Sequence, residues 1–353
     1  MNKIRVAING FGRIGRNYFK QALQRAELEV VAFNDLGDLE NMAYLLKYDT
    51  VYGRYNKNIE IKNEKLEIGG ANIVGKLLVD GKEVLVFQEK DPKNLPWKEL
   101  DIDVVIESTG FFTDYQGAAL HLEAGAKRVV ISAPAKGDIE HLLIGTNDDK
   151  FKKGLSKITS DASCTTNAVT PLLAIMAENP GIIKAMMNTI HAYTATQLLV
   201  DGPGKKGDFL RGRAAAHNIV PSHTGAADAV IKSLPGLNGI FDAIAIRVPV
   251  ITGSLVDLTF IAKRQVSVDE INNIFRLAAQ SERWKNVIKI IEEPIVSSDI
   301  IGEPYPALVD LTLTKVTGGD MVKVFSWYDN EWGYTTSLIE HSIRVGRLEK
   351  SDG

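Results

Sequence analysis

The stretch IRVAINGFGRIGRNYFKQALQ, residues 4–24, opens with an apolar run from Ile4 to Ile8 and passes into Gly10-x-Gly12-x-x-Gly15. A helical pattern follows, with Ile14, Tyr18, Ala22 and Leu23 on roughly one side. A second strand-like run, LEVVAFND, ends in Asp35, twenty residues after Gly15. Strand, glycine turn, helix, strand and acid in this order form the dinucleotide fingerprint. The glycines allow a tight turn and close approach of the backbone to a pyrophosphate. The helix N-terminus attracts its charge, and the acid accepts from the adenosine ribose hydroxyls. Asp35 favours NAD over NADP, because its charge repels a 2′-phosphate. The plainer alternative for Asp35 is a solvated carboxylate at a strand end.

Further strands and helices alternate downstream. DVVIESTG (103–110) and RVVISAP (128–134) are apolar runs ending in small, hydroxyl-bearing residues, as strands feeding a cofactor crevice do, and AALHLEAGAKR between them reads as a crossover helix. Residues 55–90 carry short β-type runs separated by Gly, Asn and Asp, which predicts a hairpin excursion at the sheet edge. The pattern changes near residue 160. Chain length also predicts two domains, since 353 residues exceed one ordinary core.

Composition narrows the class. Apolar content of 45% and charged content of 24% are those of a soluble globular protein. A net charge of −3 argues against a large nucleic-acid surface. No apolar run approaches the length of a membrane span, and the N-terminus lacks the pattern of a signal peptide, so the cytoplasm is expected. One cysteine excludes an intramolecular disulfide framework, and the six histidines show no zinc-type spacing, so no metal is expected.

That one cysteine, Cys164, sits in SDASCTTNAVTPLLA (160–174), just before an apolar run at helical spacing. A thiol at the start of a helix faces free backbone N–H groups and the positive end of the dipole, which favour its thiolate. A lone cysteine is more often a small buried hydrophobe than a nucleophile. MMNTIHAYTATQ places His191 near the end of a β-type run, either as a base or as a structural histidine. AIAIRVPV puts Arg247 in an apolar strand, where it needs an anion or an acidic partner. Residues 200–221 form a Gly-rich basic segment, expected to be an ordered loop with Lys205 and Lys206 on a solvated face. LVDLTFIA, ALVDLTLTKV and MVKVFSWYD read as strands of an antiparallel or mixed sheet, and EWGYTTSLIEHSIRVGRL as a helix.

GFGRIGR, FNDL, LKYD, ESTGFF, SAPAKGD, SDASCTTN, IHAYT, TGAA, RVP and WYDNEWGY occur in this order along the chain. In that order the sequence resembles the phosphorylating glyceraldehyde-3-phosphate dehydrogenases, over essentially its whole length. The resemblance implies an α/β chain: a Rossmann-type dinucleotide-binding domain (1–163) and an α+β catalytic domain with a mixed or antiparallel sheet (164–330). A C-terminal helix (331–353) would pack back on the first domain. It implies that Cys164 is the nucleophile and His191 its general-base partner, with NAD as cofactor and a thioester cleaved by inorganic phosphate. Thr194, Arg211 and Arg247 match the positions for the phosphate of glyceraldehyde 3-phosphate. Ser163, Thr224 and Gly225 match those for inorganic phosphate, with Thr165 beside them. Gly10, Gly12, Arg13, Ile14, Gly15, Asn34, Asp35, Ser108, Thr109, Ser132, Asn330 and Tyr334 match cofactor positions. A homotetramer is implied as well.

The chain departs from the family pattern at several points. Ala168 stands where many members have a second cysteine, Asp228 replaces a common lysine and Gly202 a common leucine. The 203–211 loop and the 55–90 region are longer than usual. Erythrose-4-phosphate dehydrogenase, which shares the nucleophile and histidine, is the neighbouring alternative. A non-catalytic NAD- or nucleic-acid-binding protein on the same scaffold is the alternative from another class.

Overall fold

The computed structural model describes residues 3–64, 66–204 and 207–350, so Lys205 and Lys206 lie outside the described residues. The chain divides into two compact units. One comprises Met1–Leu142, Asn147–Ala162 and Leu338–Gly353, and the other Leu143–Thr146 and Ser163–Ser337. The division therefore falls one residue before 163/164, and again inside the last helix rather than at its start.

In the first unit, β1 (Ile4–Asn9), α1 (Arg13–Ala22) and β2 (Leu28–Asn34) follow the opening motif. Next come α2 (Leu39–Lys47), a small ribbon of β3 (Tyr48–Asp49) and β4 (Gly53–Arg54), then β5 (Ile59–Lys62), β6 (Leu66–Ile68), β7 (Ala71–Val79) and β8 (Lys82–Phe87). The unit continues with β9 (Val104–Glu107), α3 (Tyr115–Glu123), β10 (Arg128–Ile131) and β11 (Ile158–Ser160). Among the described residues these build a nine-stranded sheet ordered β11-β10-β9-β1-β2-β8-β7-β5, with β6 also on β7. Strands β11 to β8 of that order run parallel. β1 lies between β2 and β9, and the chain winds outward from it first to one side and then to the other, so the strand order reverses there and a crevice opens at the carboxyl ends of β1, β2 and β9.

The 55–90 region forms a hairpin on the edge side of the sheet and also contributes to the core. β8 pairs parallel with β2, β7 returns antiparallel on β8, and Leu77, Val84, Val86 and Phe87 are fully buried. Phe87 joins Trp97, Ala7, Ala32 and Val105 in one apolar cluster, while Val129, Ile131, Ile139 and Ile158 form another.

The second unit opens with α4 (Cys164–Glu178) and β12 (Ile182–Ala192), followed by β13 (Val220–Ser222), α5 (Ala226–Ser233), β14 (Phe241–Val248) and β15 (Ser254–Ala262). It goes on to α6 (Val268–Gln280), β16 (Ile288–Ile291), β17 (Ala307–Thr317) and β18 (Met321–Tyr328), and α7 (Trp332–Lys350) contributes residues to both units. Its seven-stranded sheet has the order β13-β14-β12-β15-β18-β17-β16 among the described residues. The sheet is mixed, since β12/β14 and β16/β17 are parallel and the other pairs antiparallel. α4 packs on β12, β15, β17 and β18 and is buried on every side from Thr165 to Met176. That is why its sequence has no charged face, and its polar residues Asn167 and Thr170 bond back to the Ser163 and Thr166 carbonyls. Among the described residues no helix is long and apolar enough to cross a membrane.

Candidate active site

In the first unit a cleft of about 480 Å³ opens at the carboxyl ends of β1, β2 and β9. Of the cofactor residues expected in this unit, Gly10, Gly12, Asn34, Asp35, Ser108 and Thr109 line it, whereas Arg13, Ile14, Gly15 and Ser132 do not. Gly10 has φ +96°, and a Cβ there would meet the Thr109 backbone nitrogen at 2.7 Å. A Cβ on Gly15 would run into the Gly10 carbonyl oxygen, so the helix can approach the turn only without a side chain. A Cβ on Gly12 would have nothing within 4 Å, and no side chain caps the N-terminus of α1. These open N–H groups suit a pyrophosphate. Asp35 is held in place by the fingerprint turn itself: its carboxylate accepts from Phe11 N at 2.6 Å and from Gly37 N at 2.8 Å. Exposed Leu36 and Phe111 add apolar walls. Arg13 turns to the buried Asp49 at 2.6 Å. Burial opposes the charge of Asp49, yet Arg13 holds its carboxyl below the usual range.

In the second unit Ser163 caps α4, its hydroxyl accepting from Thr166 N at 3.1 Å. Cys164 is thereby the first residue of the helix, half-buried, with its sulfur 3.3 Å from His191 Nε2. Strand register explains what lies behind the imidazole. β12 pairs with β14 so that His191 faces Arg247 directly across the ladder. His191 Nδ1 lies 2.6 Å from both Ala192 O and an Arg247 guanidinium nitrogen, which also donates to Ala192 O at 3.0 Å. The ring therefore has two settings. With Nδ1–H donating to the carbonyl, the Nε2 lone pair faces the thiol. With Nδ1 accepting from Arg247, Nε2–H faces the sulfur.

Burial and the neighbouring Arg247 guanidinium push His191 down to about 3. Burial pushes the Cys164 thiol up, while Arg247 and the Thr165 backbone N–H pull the other way. Burial thus favours the neutral thiol and neutral imidazole over the ion pair, and Arg247 is the positive charge available to a thiolate.

Other expected residues separate by environment. Arg211, in a single 3₁₀ turn, reaches Ser222 Oγ at 3.0 Å, Thr196 Oγ1 at 3.4 Å and Asp208 at 3.2 Å. Thr194 Oγ1 is 3.0 Å from Thr196 Oγ1. Thr224 and Gly225 lead into α5, the Thr224 hydroxyl accepting from Ala226 N. Thr165 differs: it is buried, and its hydroxyl meets Tyr328 Oη at 3.0 Å. Asn330 is buried and accepts from Gly253 N and Ser254 Oγ, and Tyr334 is buried in the same unit.

Tyr328 is the residue that sequence reasoning missed. Its hydroxyl bridges Thr165 and Thr189, and its ring stands edge-on to His191 with centroids 5.8 Å apart. Its position at the inward end of a β-type run, just before Asp329 and Asn330, was the available signal.

Residues 4–115 match the family model described as glyceraldehyde 3-phosphate dehydrogenase, NAD binding domain, and residues 163–330 match the C-terminal domain of the same family. The glyceraldehyde-3-phosphate dehydrogenase of Clostridium pasteurianum is 47% identical over 349 residues, which cover 98% of this chain and 99% of that protein. Glyceraldehyde-3-phosphate dehydrogenase 2 of Streptomyces avermitilis is 46% identical over 344 residues (97% and 98%). The protein of that name from Geobacillus stearothermophilus is 45% identical over 337 residues (96% of each). With both domains matched and relatives at this identity along nearly its whole length, the chain belongs to the glyceraldehyde-3-phosphate dehydrogenase family of NAD-dependent oxidoreductases.

Proposed function

We propose that this chain oxidises glyceraldehyde 3-phosphate to 1,3-bisphosphoglycerate with NAD and inorganic phosphate, and that Cys164 carries the acyl group as a thioester. The observation that carries the reading is the 3.3 Å approach of His191 Nε2 to the Cys164 sulfur at the first turn of α4. With Nδ1–H on Ala192 O, Nε2 takes the thiol proton as the sulfur adds to the aldehyde carbon. The imidazolium N–H so formed faces the new alkoxide and stabilises it. Burial and Arg247 both disfavour that imidazolium, so His191 holds the proton weakly and gives it up readily. NAD, when bound, supplies the hydride acceptor that turns the thiohemiacetal into a thioester. Attack of phosphate on the thioester carbonyl breaks the carbon–sulfur bond, giving the acyl phosphate and the Cys164 thiolate, which recovers a proton from His191.

Two anions need holding. Thr194, Arg211 and Arg247 are assigned to the substrate phosphate, and Ser163, Thr224 and Gly225 to inorganic phosphate, with Thr165 next to Ser163 turning its hydroxyl to Tyr328. Arg247 Nε is buried with no hydrogen-bond partner, as expected of a guanidinium awaiting an anion. Gly10, Gly12, Arg13, Ile14, Gly15, Asn34, Asp35, Ser108, Thr109 and Ser132 are assigned to the dinucleotide, and Asn330 and Tyr334 to its nicotinamide end. A cytoplasmic homotetramer fits a chain with one cysteine and with exposed apolar side chains on β12 and β14, Met186 and Ile244.

The test is NAD reduction by glyceraldehyde 3-phosphate, followed by NADH absorbance, with and without inorganic phosphate. Phosphate-dependent turnover that disappears in Cys164→Ser is expected. Turnover indifferent to phosphate, or faster with erythrose 4-phosphate, would replace the reading by its neighbour.

A further inference from the structure

Beneath the dinucleotide cleft lies a buried polar chain that the reaction scheme does not use. The Glu107 carboxylate, 1% exposed, receives four donors. One oxygen accepts from Thr109 N at 2.8 Å and from the Thr109 hydroxyl. The other accepts from Asn9 Nδ2 at 2.6 Å and lies 3.0 Å from His121 Nε2. His121 is wholly buried, and its Nδ1 is 3.0 Å from Trp97 Nε1. An indole nitrogen only donates, so Nδ1 must present a lone pair and the single ring proton sits on Nε2, directed at Glu107. Trp97 thereby sets the tautomer that lets His121 donate to the carboxylate.

The network reaches the crevice through several of its lining residues. Asn9 Oδ1 accepts from Asn34 Nδ2 at 2.8 Å, and Asn34 in turn grips the backbone of Glu89 through both side-chain atoms, at 2.7 and 2.8 Å. Asn9, Asn34, Glu89 and Thr109 all line the cleft. Phe112, which also lines it, packs edge-on against His121. Neither Glu107, His121 nor Trp97 lines the cleft. One buried carboxylate thus ties together the ends of β1, β2 and β9, where the strand order reverses.

We propose that Glu107, His121 and Trp97 are positioning residues that pre-set the dinucleotide cleft, acting through Asn9, Asn34 and Thr109. The inference rests on the dinucleotide reading of this cleft. Networks of this kind are stronger when every member is satisfied, and one reversed donor propagates along them. In Glu107→Gln the amide N–H₂ must face either Asn9 Nδ2 and the His121 Nε2–H or the Thr109 backbone N–H, so in either orientation at least one buried donor loses its acceptor. His121 cannot reverse to accept from the amide, because Trp97 holds its Nδ1.

The experiment is calorimetric titration of the ligand-free protein and its variants with NAD and with ADP-ribose, alongside melting temperatures. Glu107→Gln should weaken both ligands about tenfold, the size of one lost hydrogen bond with an unsatisfied partner. Trp97→Phe alone should weaken both ligands about two- to fivefold, and the double variant should lose no more than about twofold beyond Glu107→Gln, because both substitutions break the same chain, a non-additivity that a merely structural role does not produce. Unchanged affinity in Glu107→Gln with a lowered melting temperature would overturn the proposal, as would losses that multiply in the double variant. Wild-type protein that binds neither ligand would instead remove the dinucleotide reading, and the relay with it. Should Glu107→Gln not fold, the Trp97 indole N–H resonance of the wild type decides. A shift on adding ADP-ribose supports the relay, and no shift overturns it.

Discussion

His191 is neutral for a reason that lies one strand away. Its partner across the β12/β14 ladder is Arg247, and burial and guanidinium together push the imidazole from 6.5 down to about 3. The unfolded chain takes up a proton at this residue near the ordinary value, whereas the folded chain does not until far lower pH. The contribution of His191 to stability is therefore complete above about 6.5 and is lost as the pH falls toward 3. Thermal melts of wild type and His191→Gln across this range should show the wild type losing stability faster on acidification. Parallel curves would show that the site protonates without cost. Tyr328 belongs to the same scale, because one hydroxyl fastens Thr165, next to the nucleophile, to Thr189, two residues before the base.

At the scale of elements, two helix starts carry the chemistry, and each is set by a residue with little or no side chain bulk. α4 begins at Cys164 because Ser163 caps it, so capping and nucleophile placement are one event. α1 lies against its own turn because Gly15 has no Cβ to strike the Gly10 carbonyl. Gly15→Ala should therefore cost about 1–3 kcal/mol of stability, as overpacking of a fitted contact does. It should also weaken NAD binding, because the shift moves the α1 N-terminus. Urea unfolding and NAD titration of the variant check both, and a fully stable variant with wild-type affinity would refute the close fit. The strands were easier to foresee than the helices α2 and α6: parallel strands buried on both faces read as continuous apolar runs. α2 spans only nine residues, and α6 buries only a narrow stripe of Ile271, Asn272 and Phe275.

At the scale of the molecule, the sheet of the second unit is covered by α4, α5 and α6 and leaves Met186, Ile183 and Ile244 exposed. In the proposed homotetramer these exposed apolar side chains would be covered by another chain. Phe209 is 86% exposed and Leu199 and Val200 are also open, in the segment before β13. Sedimentation of the wild type should give a tetramer, and Met186→Glu should shift it toward smaller species by burying a charge in the contact. A monomeric wild type would remove the proposed assembly.

The dinucleotide half was legible in one stretch of sequence, because its determinants are local. Gly10, Gly12 and Gly15 act through backbone geometry within six residues, and Asp35 follows from the strand next in the chain. Cys164 could be located as the start of a helix for the same reason, and family resemblance then gave it a role. What only the tertiary structure decided are relations between residues far apart in the chain. The register of β12 on β14 sets Arg247 behind His191, 56 residues away, and the fold brings Tyr328 to Thr165, 163 residues away. Glu107, His121 and Trp97 read singly as a strand-end acid, a helix histidine and a core aromatic. They became one hydrogen-bonded chain only because β9, α3 and the loop before β9 meet in the buried interior, where each polar atom must find a partner.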